Sequence, residues 1–212
     1  MKTDPLKDYK IGKKIEDAQS QHLALNFELA KQMYLEVLAE APDSVSALRG
    51  MGILDLQQSR LREGEQWLRK AVALSPDDAQ LWNDLGEALR MQGRFAGAIE
   101  SYEKALEINP ELVQTLNNLG AALMLDGNLD GSERQLRAAI VKDPANPYCH
   151  NTLGILLEQR ALPQEALQQY ELAVRLEPDF EEACANYSDL LARYPELIGV
   201  SVSRLIGDMG GN

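Results

Sequence analysis

The sequence predicts an all-α protein: a solenoid of about five helix–turn–helix repeats plus a C-terminal capping segment, wound as a right-handed α–α superhelix. Three observations carry this. Prolines recur at a spacing of thirty-four residues, at Pro42, Pro76, Pro110, Pro144 and Pro178, a period that marks stacked helical hairpins. Small residues recur in the same frame at Ala18, Gly52, Gly86, Gly120, Gly154 and Ser188, as close helix contacts require. Between them stand bulky residues at helical spacing, three and four apart.

Counting back from each proline gives frames 11–44, 45–78, 79–112, 113–146 and 147–180, with a remnant from Glu181. Position 32 of each frame is the proline. Positions 4, 7, 8 and 11 define one amphipathic helix, A, and positions 20, 24, 27 and 28 a second, B. Position 24 reads Tyr34, Leu68, Tyr102, Leu136 and Tyr170, while position 27 reads Val37, Ala71, Ala105, Ala139 and Ala173. The break near position 15 carries Gly93 and Gly127, residues suited to a chain that must stop one helix and turn. The proline prevents helix B from continuing. Polar stretches around it cap the next helix A. Pro163 falls in the first turn of a helix B, where its missing N–H costs little.

The ends depart from this code. Residues 1–10 read as an N-terminal tail. Frame 11–44 reads as a degenerate first repeat, with polar Lys14, Asp17 and Gln21 where helix A should be apolar; a terminal repeat with a polar outer face serves as a cap. The alternative is that residues 1–20 are partly disordered. Residues 45–180 form four well-matched repeats. Residues 181–212 hold a sixth helix A stopped by Pro195, a capping segment and a Gly-rich tail. Val202, Leu205, Ile206 and Met209 are spaced as one last helix laid over the exposed end.

Composition narrows the function classes. The chain of 212 residues is 45% hydrophobic and 25% charged, as in ordinary folded proteins. Its net charge of −12 opposes phosphate backbones and anionic lipid, so no nucleic acid and no membrane partner is expected. A neutral or basic protein partner is favoured instead. There is no signal peptide pattern and no apolar run long enough to span a bilayer. Cys149 and Cys184 make no disulfide framework, so a cytoplasmic location is expected. No catalytic motif, phosphate loop or metal-ligand spacing is present, which predicts no enzyme, no cofactor and no metal. Cys149, His150 and Cys184 read as buried packing residues. The sequon at Asn186 lies on a helix and is discounted.

This pattern resembles the tetratricopeptide repeat family over about residues 45–180. Frame 79–112 matches best, with Trp82, Leu85, Gly86, Ala98, Tyr102, Ala105 and Pro110 in the signature places. The resemblance implies that helix A lines a concave groove, with positions 2, 5, 9 and 12 pointing into it. The partner residues so implied are Arg49, Ile53 and Leu56, then Asn83, Glu87 and Arg90. Asn117, Ala121 and Met124 follow, and then Tyr148, Asn151, Ile155 and Glu158. Asn83, Asn117 and Asn151 share position 5, and an amide row can both donate to and accept from a peptide backbone. A similar asparagine ladder occurs in the repeats of O-linked N-acetylglucosamine transferases, although there it matches the next position, here Asp84, Asn118 and Thr152. Ile53, Leu56, Met124 and Ile155 would face solvent in an empty groove and so suit an apolar segment. Only Arg49 and Arg90 are basic there, beside Glu87, Glu158, Glu182 and Asp189, which argues against the terminal-carboxylate clamp of chaperone-binding relatives.

The expected function is a non-enzymatic scaffold or adaptor. It would hold an extended or helical segment of a protein partner, neutral to basic and partly apolar. One alternative is the substrate-recruiting part of a larger enzyme such as a glycosyltransferase. Another is a self-assembling homo-oligomer, in which the end helix or tail of one molecule fills the groove of the next.

Overall fold

The structure, a computed structural model, describes residues 5–199. Within them the chain forms eleven α-helices, one 3₁₀ turn and no strand. The helices are α1 (Pro5–Leu23), α2 (Phe27–Glu40), α3 (Val45–Gln57), α4 (Leu61–Leu74), α5 (Ala79–Met91) and α6 (Phe95–Ile108). They continue as α7 (Val113–Leu125), α8 (Leu129–Lys142), α9 (Pro147–Gln159), α10 (Pro163–Leu176) and α11 (Glu181–Arg193), followed by the 3₁₀ turn Pro195–Leu197. Two compact units divide between Pro110 and Glu111. The first stacks the hairpins α1–α2, α3–α4 and α5–α6; the second stacks α7–α8 and α9–α10 with α11.

The small and bulky positions explain how each hairpin closes. A Cβ on Gly52 would stand 2.6 Å from Leu68 Cγ, and one on Gly154 would stand 2.5 Å from Tyr170 Cε1. Position 8 is therefore small because position 24 of the same hairpin lies directly on it. The apolar stripes meet along that line: Tyr34, Val37, Met51 and Leu54 in the first unit, and Leu153, Leu157, Leu167 and Tyr170 in the second.

All five A–B turns use one backbone device. Leu25, Ser59, Gly93, Gly127 and Ala161 have φ of 61°, 60°, 71°, 89° and 57°, the left-handed region that favours glycine. The sequence shows only the two glycines, yet the chain adopts the same turn at three residues that carry a Cβ. The repeat prolines also do more than stop helices. Three of their carbonyls face a polar side chain at position 4 of the next helix, with Trp82 Nε1 donating to Pro76 O at 2.7 Å and Cys184 Sγ to Pro178 O at 3.4 Å. His150 Nε2 lies 2.9 Å from Pro144 O in the same relation.

The N-terminus differs from the expected tail. Helix α1 begins at Pro5, so residues 5–10 are helical, as are residues 11–20, for which partial disorder is the alternative expectation. Ala18 is fully buried, and Ile11 and Ile15 pack on the first core, which supplies the apolar contact missing at Lys14, Asp17 and Gln21. At the other end α11 stops at Arg193, before Pro195, and Leu197 is buried beside Leu167 and Leu190. Val202, Leu205, Ile206 and Met209 lie outside the described residues.

Candidate functional site

In the first unit a cavity of about 410 Å³ opens between the end of α1 and the exposed side of α3, lined by His22, Leu23, Tyr34, Arg49, Ile53 and Gln57. Gly50 makes it. A Cβ there would stand 2.4 Å from Tyr34 Cζ, so the absence of a side chain lets the Tyr34 ring reach the floor. Tyr34 is only 1% exposed. Burial raises its phenol above the ordinary range, while the neighbouring Arg49 charge works the other way. His22 Nε2 lies 2.8 Å from Gln57 Oε1, a partner that only accepts, so Nε2 donates. Its Nδ1 stands 3.5 Å from the Tyr34 hydroxyl, and the ring meets Phe27 and Tyr34 edge-on at 5.9 and 6.1 Å. Arg49 Nε donates to Asp84 Oδ2 on α5 at 2.5 Å. Burial raises the Asp84 carboxyl, with Arg49 opposing it.

The remaining first-unit residues are more engaged than the sequence implied. Leu56 is 7% exposed and lies over Gly64, whose added Cβ would meet Leu56 Cδ2 at 2.9 Å. It is core, not groove. Asn83 is 4% exposed. Glu87 accepts from Arg90 at 2.8 and 2.6 Å and from the Tyr102 hydroxyl at 3.1 Å, so these charges neutralise each other.

In the second unit Asn151 is 3% exposed. Its Nδ2 donates to Glu182 Oε1 at 3.2 Å and its Oδ1 accepts from Asn186 at 2.9 Å. Its amide is spent on α11 rather than held free for a peptide. Asn117 Oδ1 is buried with no hydrogen-bond partner. Met124 is buried in the core beside Leu153 and Leu156, a second correction to the apolar groove residues. Ile155 is half-buried on the same core, and Ala121 is half-buried. Tyr148 is 51% exposed and leans on Phe180 at 4.8 Å. Glu158 accepts from the Tyr170 hydroxyl at 2.6 Å and from Arg193.

One rule covers the polar pairs. His22 with Gln57, Arg49 with Asp84, Asn151 with Asn186 and Glu158 with Arg193 are each pairs thirty-five residues apart. Within each unit, position 5 of one A helix abuts position 6 of the next and position 12 abuts position 13, so polar residues there bond between neighbouring repeats. The cavity residues His22, Leu23, Tyr34 and Gln57 were missed by sequence reasoning. Their signal was Gly50, standing where later frames carry Asp84, Asn118 and Thr152, opposite a tyrosine. Among the described residues no group of three or more His, Cys, Asp or Glu could hold a metal ion, and no helix is long and apolar enough to cross a membrane.

A tetratricopeptide repeat family model matches residues 24–79 and 117–179, a second matches 67–100, and a TPR repeat model matches 86–127. No curated protein matches the sequence. Among solved structures, the fold is similar to a thermophilic TPR protein of Thermus thermophilus, TTC0263, at TM-score 0.74 and 20% identity over 86% of this chain and 99% of that one. YrrB, described as a TPR protein with an unusual peptide-binding site, gives TM-score 0.63 and 21% identity over 81% and 89%. MamA gives 0.66 and 22% over 76% and 94%. With a family model matching more than half of its length and its helices packed as consecutive hairpins, the chain belongs to the tetratricopeptide repeat family.

Proposed function

We propose that the protein is a non-enzymatic interaction scaffold that holds a segment of a protein partner on its A-helix face. The observation that carries this is the first-unit cavity of about 410 Å³. It is concave, walled by apolar side chains and rimmed by a few polar groups, the usual make-up of a binding site. Arg49 and Ile53, two residues the repeat code assigns to the partner face, both line it. The peptide-binding site in the description of YrrB supports the same reading. Tyr148, half-exposed on the second unit, offers an aromatic contact of the kind enriched at interfaces. The net charge of −12 favours a partner that is neutral or basic overall, and the free thiols of Cys149 and Cys184 support a reducing, cytoplasmic setting.

Peptide display against the whole chain tests this, with the Ile53→Glu variant as the counter-selecting bait. The proposal expects a family of related segments that bind the wild type and are lost on the variant. No enrichment, or segments indifferent to Ile53→Glu, would sink it.

A further inference from the structure

The cavity presents a guanidinium and several further hydrogen-bond donors, with Gln19 and Ser46 adding groups that both donate and accept. Arg49 uses Nε on Asp84 and makes no other hydrogen bond with the described residues, which leaves the outer edge of its guanidinium fork. Gln57 gives its Oε1 to His22, so its amide N–H groups remain. Tyr34 is buried, and its hydroxyl has only the His22 Nδ1 contact at 3.5 Å, the outer limit of a hydrogen bond. Around these donors stand Leu23, Leu25 and Ile53, and no carboxylate is among the lining residues.

Ionised Asp and Glu are the side chains that accept without donating, and guanidinium binds them with charge-assisted, paired geometry. An ammonium would bring donors to donors and a positive charge to Arg49. Resting on the reading that this cavity is the partner site, we infer that it receives an acidic side chain set between aliphatic residues of a protein partner. The whole-chain charge points the other way, but it describes the entire surface, whereas Arg49 is the one permanently charged side chain among the described residues lining this cavity. Asp84 does not compete for the same edge, because it occupies Nε.

The test uses three blocked tripeptides, acetyl-Leu-Glu-Leu-amide and its Gln and Lys counterparts, titrated into the full chain. The blocked termini leave the Glu side chain as the only carboxylate. NMR signals of the Ile53 methyls and the Tyr34 ring report occupancy. The expected result is a saturable shift with the Glu peptide at least about tenfold tighter than with either counterpart. In Ile53→Glu, whose fold is checked by circular dichroism, the Tyr34 ring signals should not shift with the Glu peptide. Equal or tighter binding of the Lys peptide, or no shift at Ile53 with the Glu peptide, overturns the inference. Display that enriches segments lacking an acid but dependent on Ile53 overturns it alone and leaves the scaffold reading standing.

Discussion

Gly86 on α5 lies directly beneath the ring of Tyr102 on α6: a Cβ added to the glycine would stand 2.6 Å from Tyr102 Cε1. That contact is one instance of the rule that closes the hairpins, repeated by Gly120 beneath Leu136 at 2.7 Å. A methyl group there forces the helices apart, so Gly86→Ala is expected to lower stability by about 1–3 kcal/mol. Gly97, also helical, has only ordinary contact, with Leu89 Cδ1 at 3.5 Å. Gly97→Ala should raise stability by about 0.5–1 kcal/mol through helix propensity alone. Urea unfolding of the two variants separates the effects; equal shifts would contradict the packing rule.

The shared turn makes a second prediction of opposite sign at equivalent positions. Ala161 holds φ 57° and Gly93 holds φ 71°. Left-handed backbone costs a residue with a Cβ roughly 1–2 kcal/mol. Ala161→Gly should therefore raise the melting temperature and Gly93→Ala should lower it, as calorimetry would show.

Glu65 ties α4 to the next hairpin, accepting from Arg69 at 2.8 Å, Gln92 at 2.8 Å and Arg94 at 2.7 Å. Burial pushes its carboxyl up, but those hydrogen bonds outweigh burial and hold it below the ordinary range. The folded protein thus binds this proton less tightly than the unfolded chain. Its stabilisation is complete above the unfolded value of about 4.3 and is lost as pH falls through the lowered folded value. Glu65→Gln should cost about 1–3 kcal/mol at neutral pH. The gap between variant and wild type should close in strong acid, measured by urea melts across pH.

The two thiols should separate cleanly. Cys149 is fully buried, and burial pushes its thiol up to about 11, whereas Cys184 is only half-buried. At mildly alkaline pH an alkylating agent is expected to label Cys184 alone in the native protein, and Cys149 only after unfolding. Mass spectrometry of the labelled protein decides it.

Much of the fold could be read from the chain because hairpin packing repeats: Gly86, Tyr102 and Pro110 sit in register with their equivalents. Asp55 shows where a single frame stops informing. It occupies position 11, where the next frame has Leu89, and is 2% exposed. Arg60 at 2.7 Å and Trp67 at 3.1 Å make that tolerable, and neither is signalled by periodicity. The partner face was harder still. Position 5 points away from its own hairpin, but whether Asn151 is free depends on Asn186 in the next repeat. The cavity needed three elements at once: a turn at Leu25, a glycine at 50 and a tyrosine at 34.

Calorimetric titration of a segment selected by display on the wild type alone, with no counter-selection, into the wild type and into Ile53→Glu tests the central claim most directly. The account predicts binding with a negative heat-capacity change, from apolar burial in the cavity, and at least about a tenfold loss of affinity in the variant. Equal affinity for the two proteins would contradict it.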